Sequence, residues 1–366
     1  MKFSILQQDL LPLLQSVGRS VGIRSALPIL DNILLSVEKG KLKIAATNLE
    51  IGVIEYLTVD AEVEGEITVP ARTITEIVSG LGQTKIEIEA AGEILTIKSA
   101  KFKASINGIS ASEFPAIPIS LEKGVAFPKK AFSSLSQILF AAAVDEGRPV
   151  LTGVLTEVKT GRLDFVATDG FRLAHLSLAI PKDTPDFKSL IPKRTLEEVL
   201  KIFSESDVDS INISTSSDQN QIIFNLGQTI VSSRLIEGVF PAWEKIIPNE
   251  FVSRVIVDKE MLLTAIKLAA VFAKSETNIL IINVNKGILS LQSSTKEIGS
   301  QENEIEAETE GEEIQIAFNT KFLQDAISAC PSSQLTMEFS GSLSAAQIKP
   351  IGIEGLKYIV MPVRLS

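Results

Sequence analysis

The sequence predicts an α+β protein of three topologically similar domains, each carrying two helices on antiparallel sheets. Three observations predict this. Three landmarks recur in the same order along the chain. Each copy contains two amphipathic helical stripes, and the rest of each copy alternates apolar with polar residues. The chain has 366 residues, of which 45% are hydrophobic, enough to build several cores.

The first landmark is a strand that ends in a threonine and a polar turn. It reads LKIAATNLE (42–50), LDFVATDGF (163–171) and LSLQSSTKE (289–297). The second is a short strand opening a helix: ITVPARTITEIV (67–78), SLIPKRTLEEVL (189–200) and IQIAFNTKFLQDAI (314–327). The third closes each copy as EFPAI (113–117), VFPAW (239–243) and VMPVR (360–364). A period of about 125 residues means repeated domains, since solenoid repeats run about 20–50. The predicted domains are 1–124, 125–250 and 251–366. All three carry a small negative balance, and the whole chain is −10.

Each copy opens with a strand and an amphipathic helix. In the first, Leu10, Leu13, Leu14 and Val17 share a face, with Asp9 as the expected N-cap. The second copy has Phe132, Leu135, Leu139 and Ala142 in FPKKAFSSLSQILFAA. The third has Leu262, Ala265, Ile266 and Ala269 behind Asp258. The later helices carry Leu196, Val199, Leu200 and Phe203, and Phe322, Leu323, Ala326 and Ile327. Such stripes are core faces. Alternating runs such as KIEIEA (85–90), DSINIS (209–214) and QLTMEF (334–339) are strands with one buried face. About eight strands are expected per copy, with the helices gathered on one side and the sheets on the other.

Several function classes are disfavoured. No stretch approaches 18 consecutive apolar residues, and the start MKFSILQQDL lacks an apolar signal-peptide core. The single cysteine, Cys330, excludes an internal disulfide, fits a reducing cytoplasm and reads as a small buried residue at a helix end. A net charge of −10 argues against a protein that grips nucleic acid tightly, though not against weak contact. No Walker loop or Rossmann glycine fingerprint is present, and one histidine with one cysteine cannot build the usual zinc sites. No metal or cofactor is expected.

The segment FVATDGFRLAHL (165–176) holds the only histidine, His175, near Asp169 and Arg172. On the resumed strand His175 shares a face with Leu173, which marks a buried structural residue rather than a catalyst. TDG reads as a turn, with Asp169 bonding its own backbone and Gly170 supplying positive φ. The glycine occurs only in the middle copy, which suggests a local duty there, a rim for a peptide beside Phe171 and Leu173.

VATDGFRLA, LPILDNILL (27–35), the VPAR and IPKR helix starts and the terminal YIVMPVRL together resemble the bacterial DNA polymerase III beta subunit, the replication sliding clamp. The resemblance runs from Met1 to Leu365. It implies a non-catalytic, head-to-tail homodimer whose six domains ring double-stranded DNA without reading its sequence. In this reading it acts at the bacterial replication fork in the cytoplasm. It tethers the polymerase III alpha subunit and docks clamp-loader subunits and other proteins that carry a clamp-binding motif.

The resemblance also implies residues. The peptide pocket comprises Leu151, Thr168, Gly170, Phe171, Arg172, Leu173, Pro241, Lys245, Ile246, Asn319, Phe322, Ile359, Met361, Pro362, Val363 and Arg364. Phe171 stands where many members have histidine, Lys245 where some have arginine, and Phe322 where tyrosine is frequent. Arg24 matches an arginine that touches DNA. Position near the helix starts adds Arg72, Lys129, Lys130, Lys193, Arg194, Lys259 and Lys321. Lys267 and Lys274 lie two turns apart on one helix. A sliding ring needs only such weak phosphate contacts.

Closure is expected between a basic strand, TIKSAKFKASI (96–106) with Lys98, Lys101 and Lys103, and an acidic one, QENEIEAETEGEE (301–313). Its Glu302, Glu304, Glu306 and Glu308 alternate onto one face. Val271 and Phe272 match the family's apolar interface positions. Two other readings are a three-domain interaction scaffold that never encircles DNA and a hydrolase using Asp169 with His175.

Overall fold

A backbone contact recurs at the same place in each third of the chain. The N–H of Gln7 donates to Thr84 O at 2.9 Å, that of Lys129 to Asp209 O at 2.8 Å, and that of Lys259 to Ser333 O at 2.8 Å. Each links the first residue of a helix to the loop after a second helix. The six helices among the described residues fall into three pairs: α1 (Gln7–Gly18) and α2 (Ala71–Gly80), α3 (Lys129–Ser133) and α4 (Lys193–Glu205), α5 (Lys259–Ala273) and α6 (Thr320–Ala329). The computed structural model describes residues 1–22, 27–119, 124–145, 147–216, 220–273, 278–295 and 299–365.

The apolar stripes sit largely where periodicity puts them. Leu10, Leu14 and Val17 of α1, Leu196, Val199 and Phe203 of α4, Leu262, Ala265, Ile266 and Ala269 of α5, and Leu323, Ala326 and Ile327 of α6 are buried. Asp258 caps α5, its Oδ1 accepting from the Met261 N–H at 2.9 Å. Asp9 does not cap α1. That helix starts at Gln7, straight out of the strand Lys2–Leu6, and the Gln7 N–H is met by Thr84 O.

The helix expected over 127–142 is interrupted. α3 spans five residues, then gives way to 3-10 turns at Ser134–Gln137 and Leu139–Ala141. Phe132, Leu135 and Leu139 are nonetheless buried. The Ser136 hydroxyl donates to Ser133 O, a local bond of the kind that competes with helical pairing.

Contacts gather the chain into two units, Met1–Lys129 with Lys201–Leu235, and Lys130–Leu200 with Ile236–Ser366. The first holds a five-stranded sheet, in order Asp60–Val63, Lys2–Leu6, Lys85–Ala91, Ile94–Ser99 and Phe102–Asn107. Its eight-stranded sheet runs Val125–Pro128, Ser210–Thr215, Gln221–Leu226, Thr229–Arg234, Ile51–Thr58, Lys41–Thr47, Asn32–Glu38 and Gly65–Pro70. The second unit holds a nine-stranded sheet: Phe187–Pro192, Gly153–Lys159, Arg162–Thr168, Arg172–Ala179, Leu356–Val360, Ala346–Pro350, Gln334–Phe339, Ser253–Asp258 and Glu308–Gly311. Its four-stranded sheet runs Gly299–Glu306, Ile288–Thr295, Ile279–Asn285 and Ile314–Asn319. All strand pairings are antiparallel.

The units do not coincide with the thirds of the sequence because two sheets cross from one third into the next. Ile51–Thr58 pairs with Thr229–Arg234, and Arg172–Ala179 pairs with Leu356–Val360. Two charged segments also differ from expectation. Residues 96–106 form part of a hairpin, with Lys98 on its inner strand, Lys101 at the turn and Lys103 on the edge strand. Glu302, Glu304 and Glu306 are exposed along one face of the edge strand Gly299–Glu306. Glu308 opens a separate strand in the other sheet, so the acidic row ends at Glu306. No helix among the described residues is long and apolar enough to cross a membrane.

Candidate functional site

The turn Thr168–Arg172 is built from its own polar side chains. The Thr168 hydroxyl donates to Arg172 O and accepts from the Gly170 N–H. Asp169 Oδ1 accepts from the N–H groups of Phe171 and Arg172 at 2.9 and 3.0 Å. Gly170 has φ +92°. The first copy makes the same turn with Thr47, Asn48 and Ile51, and there Leu49 takes φ +74°. The geometry is therefore shared, and glycine relieves at position 170 the strain a leucine bears at 49.

What distinguishes the middle copy is what the turn carries. Phe171 is 55% exposed. Its ring stacks on that of Phe322, with centroids 5.7 Å apart and planes at 20°. Next to them the Arg172 guanidinium is held from three sides. Nε donates to Asp169 Oδ2 at 3.0 Å, Nη1 to Asp325 Oδ2 at 2.6 Å and Nη2 to Phe140 O at 3.0 Å. It also lies over the rings of Phe322 and Phe140, 4.8 and 5.2 Å from their centroids. Every arm of the planar fork is thus in use, which fixes the aromatic pair from behind. The interruption after α3 supplies one arm, since Phe140 lies in the second 3-10 turn.

The C-terminal strand completes this surface. The Met361 N–H donates to Phe171 O at 2.9 Å, Pro362 bridges Phe318, and the Val363 N–H donates to Ala317 O at 2.7 Å. Met361 is exposed and Pro362 and Val363 half-buried, an adaptable apolar wall. Deeper in, Leu173 faces Ile359 across the ladder, and both join a buried cluster with Leu155, Val166, Leu190 and Trp243. Ile246 packs on that cluster. Leu151 and Thr168 are buried. Asn319 serves as the cap of α6, its Oδ1 accepting from the Lys321 and Phe322 N–H groups. Pro241, Lys245 and Arg364 are exposed.

Three participants escaped the sequence: Phe140, Asp325 and Trp243. Phe140 looked like one more helical apolar residue, and nothing in spacing linked Asp325 to Arg172, 153 positions away. Trp243, the only tryptophan, stood inside the landmark VFPAW and carried the one available signal.

His175 is not paired with Asp169. It is 4% exposed, its Nε2 lies 2.7 Å from Asp164 Oδ1, and its ring rests on Trp243 with centroids 4.5 Å apart. Burial disfavours the Asp164 charge, but hydrogen bonds from His175, Arg162 and Ser177 outweigh it and hold the carboxyl below its usual range. With Asp169 committed to the turn, a hydrolytic pair is not assembled here.

The basic residues divide by what they already hold. The Lys129 ammonium donates to Ser206 O and lies over the Phe203 ring, and that of Lys259 donates to Cys330 O. Both are thereby engaged inside the protein. Arg72 is exposed with Glu76 at 2.7 Å, and Lys193 has Glu197 at 3.7 Å. Arg194, Lys267 and Lys321 are exposed. Arg24 and Lys274 lie outside the described residues, as does the side chain of Lys130. On the edges, Lys98 is bonded to Glu89 in its own sheet, Lys103 is exposed, and Val271 is exposed beside half-buried Phe272 at the end of α5. Hydrogen bonds from Gln292 and Ser290 lower the pKa of Glu302.

The DNA polymerase III beta subunit family matches in three consecutive stretches: its N-terminal domain over residues 1–118, its central domain over 127–242 and its C-terminal domain over 244–364. The chain belongs to the beta sliding clamp family. It is 33% identical to the beta sliding clamp of Synechocystis sp. and 28% identical to that of Escherichia coli, with both chains covered completely in each case. Solved clamps from Pseudomonas aeruginosa and Bacillus subtilis superpose with TM-scores of 0.94 at 29% and 28% identity, again over the whole of both chains. Sliding clamps are processivity factors in DNA replication, and this clamp is accordingly a non-catalytic subunit.

Proposed function

We propose that two copies close head to tail into a ring around duplex DNA, tether the replicative polymerase, and dock partners on the Phe171–Phe322 surface. One observation carries the ring. Within the chain, the fourth strand of one repeat pairs with the last strand of the next: Ile51–Thr58 with Thr229–Arg234, and Arg172–Ala179 with Leu356–Val360. Among the described residues, the third repeat's counterpart, Gly299–Glu306, and the first repeat's counterpart, Phe102–Asn107, each have one unpaired edge. A second copy supplies the missing mate for both, and a closed two-copy assembly follows when both junctions form.

The register carries over residue by residue. Ile54 faces Ile230 at the first junction and His175 faces Lys357 at the second. Counting along the equivalent ladders puts Glu302 opposite Lys103 across two copies. Unlike charges at directly opposed positions favour this pairing over a slipped one. Val271 and Phe272 offer apolar area beside it, and Lys101, Glu304 and Glu306 continue the charge match.

Inside the ring, Arg72, Lys193, Arg194, Lys267 and Lys321 are the cations proposed to meet phosphates, with Arg24, Lys130 and Lys274. Few and dispersed contacts suit sliding. On the docking surface, the exposed aromatic pair, Met361, Pro362 and Val363 suit a short apolar peptide, with Leu173, Ile359 and Ile246 as its deeper wall. Exposed Lys245 and Arg364 add positive charge nearby. Cytoplasmic residence belongs to the same proposal.

Loading the protein with a clamp loader onto nicked circular DNA, then linearising the circle, tests this reading. A ring is lost on cutting and retained on the intact circle. Retention on both forms, or a monomeric native mass at micromolar concentration, overturns it.

A further inference from the structure

The two strand junctions inside the chain differ at one equivalent position. Ile54 and Ile230 meet in an apolar cluster with Leu34 and Ala45. His175 and Lys357 take their place at the other junction. A junction of this kind is thus stable without any charge, and the lysine calls for a separate reason.

Lys357 is half-buried. Burial, then the charges of Lys349 and Arg162, push its pKa down from the ordinary lysine value, with Asp164 opposing. Two of the nearby acids, Asp164 and Glu338, are already taken. Asp164 holds His175 and Arg162, and Glu338 holds Lys349 at 2.8 Å and Gln347. Among the described residues no hydrogen bond or ion pair reaches the Lys357 ammonium. An unpaired, partly desolvated cation beside two others is a standing cost.

Lys349 and Lys357 both line a cleft of about 290 Å³, walled by Ile247, Pro248 and Phe251 and edged by Asn249. That volume is at the small end for ligand pockets, suited to one side chain or a small ion. The Lys357 ammonium offers three donor protons and Lys349 has two left beside Glu338. Glu338 and Glu250 on the same lining limit the positive charge, which disfavours a polyanion such as the DNA backbone.

We propose that this cleft binds a small oxyanion, a carboxylate or phosphoryl group, against Lys349 and Lys357. The anion supplies the partner that Lys357 lacks and draws the two like charges together. The cleft's lining includes none of Phe171, Phe322, Met361, Pro362 and Val363, and the proposal holds whether or not that surface docks peptides.

Titration of the full chain with inorganic phosphate, and separately with sodium acetate, at fixed pH and matched ionic strength tests the proposal. The ring protons of His175, the only histidine, report from the position opposite Lys357. At least one anion is expected to saturate the wild type and to bind Lys357→Met at least tenfold more weakly. Lys357→Gln is the second variant should methionine perturb folding. Acetate saturation identifies a carboxylate site, and saturation by phosphate alone a phosphoryl site. A response no larger than sodium chloride gives, or equal affinity in the variants, overturns it.

Discussion

The Lys259 ammonium donates to the carbonyl oxygen of Cys330 at 2.7 Å, tying the first turn of α5 to the end of α6. The same tie exists twice more, from Lys129 Nζ to Ser206 O at 2.8 Å and from Gln7 Nε2 to Val78 O at 3.1 Å. Each donor reaches the carbonyl end of the second helix of its repeat, where partial negative charge collects. A cation is worth more there than an amide. Lys259→Met should cost about 1–2 kcal/mol, and Gln7→Leu about 1 kcal/mol or less. Urea denaturation of the two variants checks the order, and equal losses would remove the role of charge.

Leu49→Gly should stabilise the protein. Leu49 sits at φ +74° with its side chain 51% exposed, so little burial is lost. Removing the Cβ that is strained in the left-handed region saves about 1–2 kcal/mol and glycine costs about 0.5–1 kcal/mol in chain entropy, a net gain of up to about 1.5 kcal/mol. Gly170→Ala should do the reverse, since a Cβ there adds φ strain and lies 3.3 Å from Arg148 Nη1. Thermal unfolding reads both.

The repeat, the helix stripes and the burial of His175 and Cys330 were legible because each follows from local periodicity or from a motif's own residues. What was not legible involves partners far apart in sequence. Lys129 and Lys259 read as free charges at helix starts, because their carbonyl partners lie over 70 residues away. The interruption after α3 hides beneath an intact apolar stripe, as 3-10 turns keep Leu135 and Leu139 inward. Phe322 falls in register with Leu323 and Ala326, yet sits half-buried on the surface beside Phe171.

Two buried carboxylates should pull the pH profile in opposite directions. Burial raises the Glu55 pKa, only partly offset by hydrogen bonds from Ser16 and Thr229 and by Arg19. Its stabilising contribution is full below the unfolded value near 4.5 and is lost as pH rises through the folded pKa. Glu55→Gln should therefore be more stable than wild type at pH 7, and the difference should vanish in acid. Asp164 is shifted down, so its contribution is present above the unfolded value near 3.8 and is lost as pH falls through the folded pKa. Asp164→Asn should lose stability at pH 7, and that loss should shrink as pH falls below about 3.8. Denaturation midpoints between pH 3 and 8 decide both signs.

Arg172→Lys keeps the charge but not the fork. A lysine cannot serve Asp169, Asp325 and Phe140 O together, nor lie flat on two rings. The expected loss is about 1–3 kcal/mol. Near-ultraviolet circular dichroism should change as the Phe171–Phe322 stack loosens. Unchanged stability would mean that the side chain's bonds are each replaceable by water.

Glu302→Lys should weaken self-association, because the carried-over register sets it against Lys103. An opposed charge pair contributes up to about 1 kcal/mol, and a two-copy ring has two such junctions, so the loss approaches about 2 kcal/mol, near thirtyfold in dissociation constant. Lys103→Glu alone should do the same, and the double swap should restore the wild-type value. Lys98→Glu is the informative control. Lys98 is bonded to Glu89 in its own sheet, so its reversal disturbs one hairpin without opposing Glu302. Sedimentation of the four variants separates these cases. Full recovery in the swap, with Lys98→Glu near wild type, ties dimerisation to one register. Equal weakening by all three single reversals would instead reduce the interface to diffuse attraction between a basic and an acidic end, which specifies no register and would not by itself close a ring.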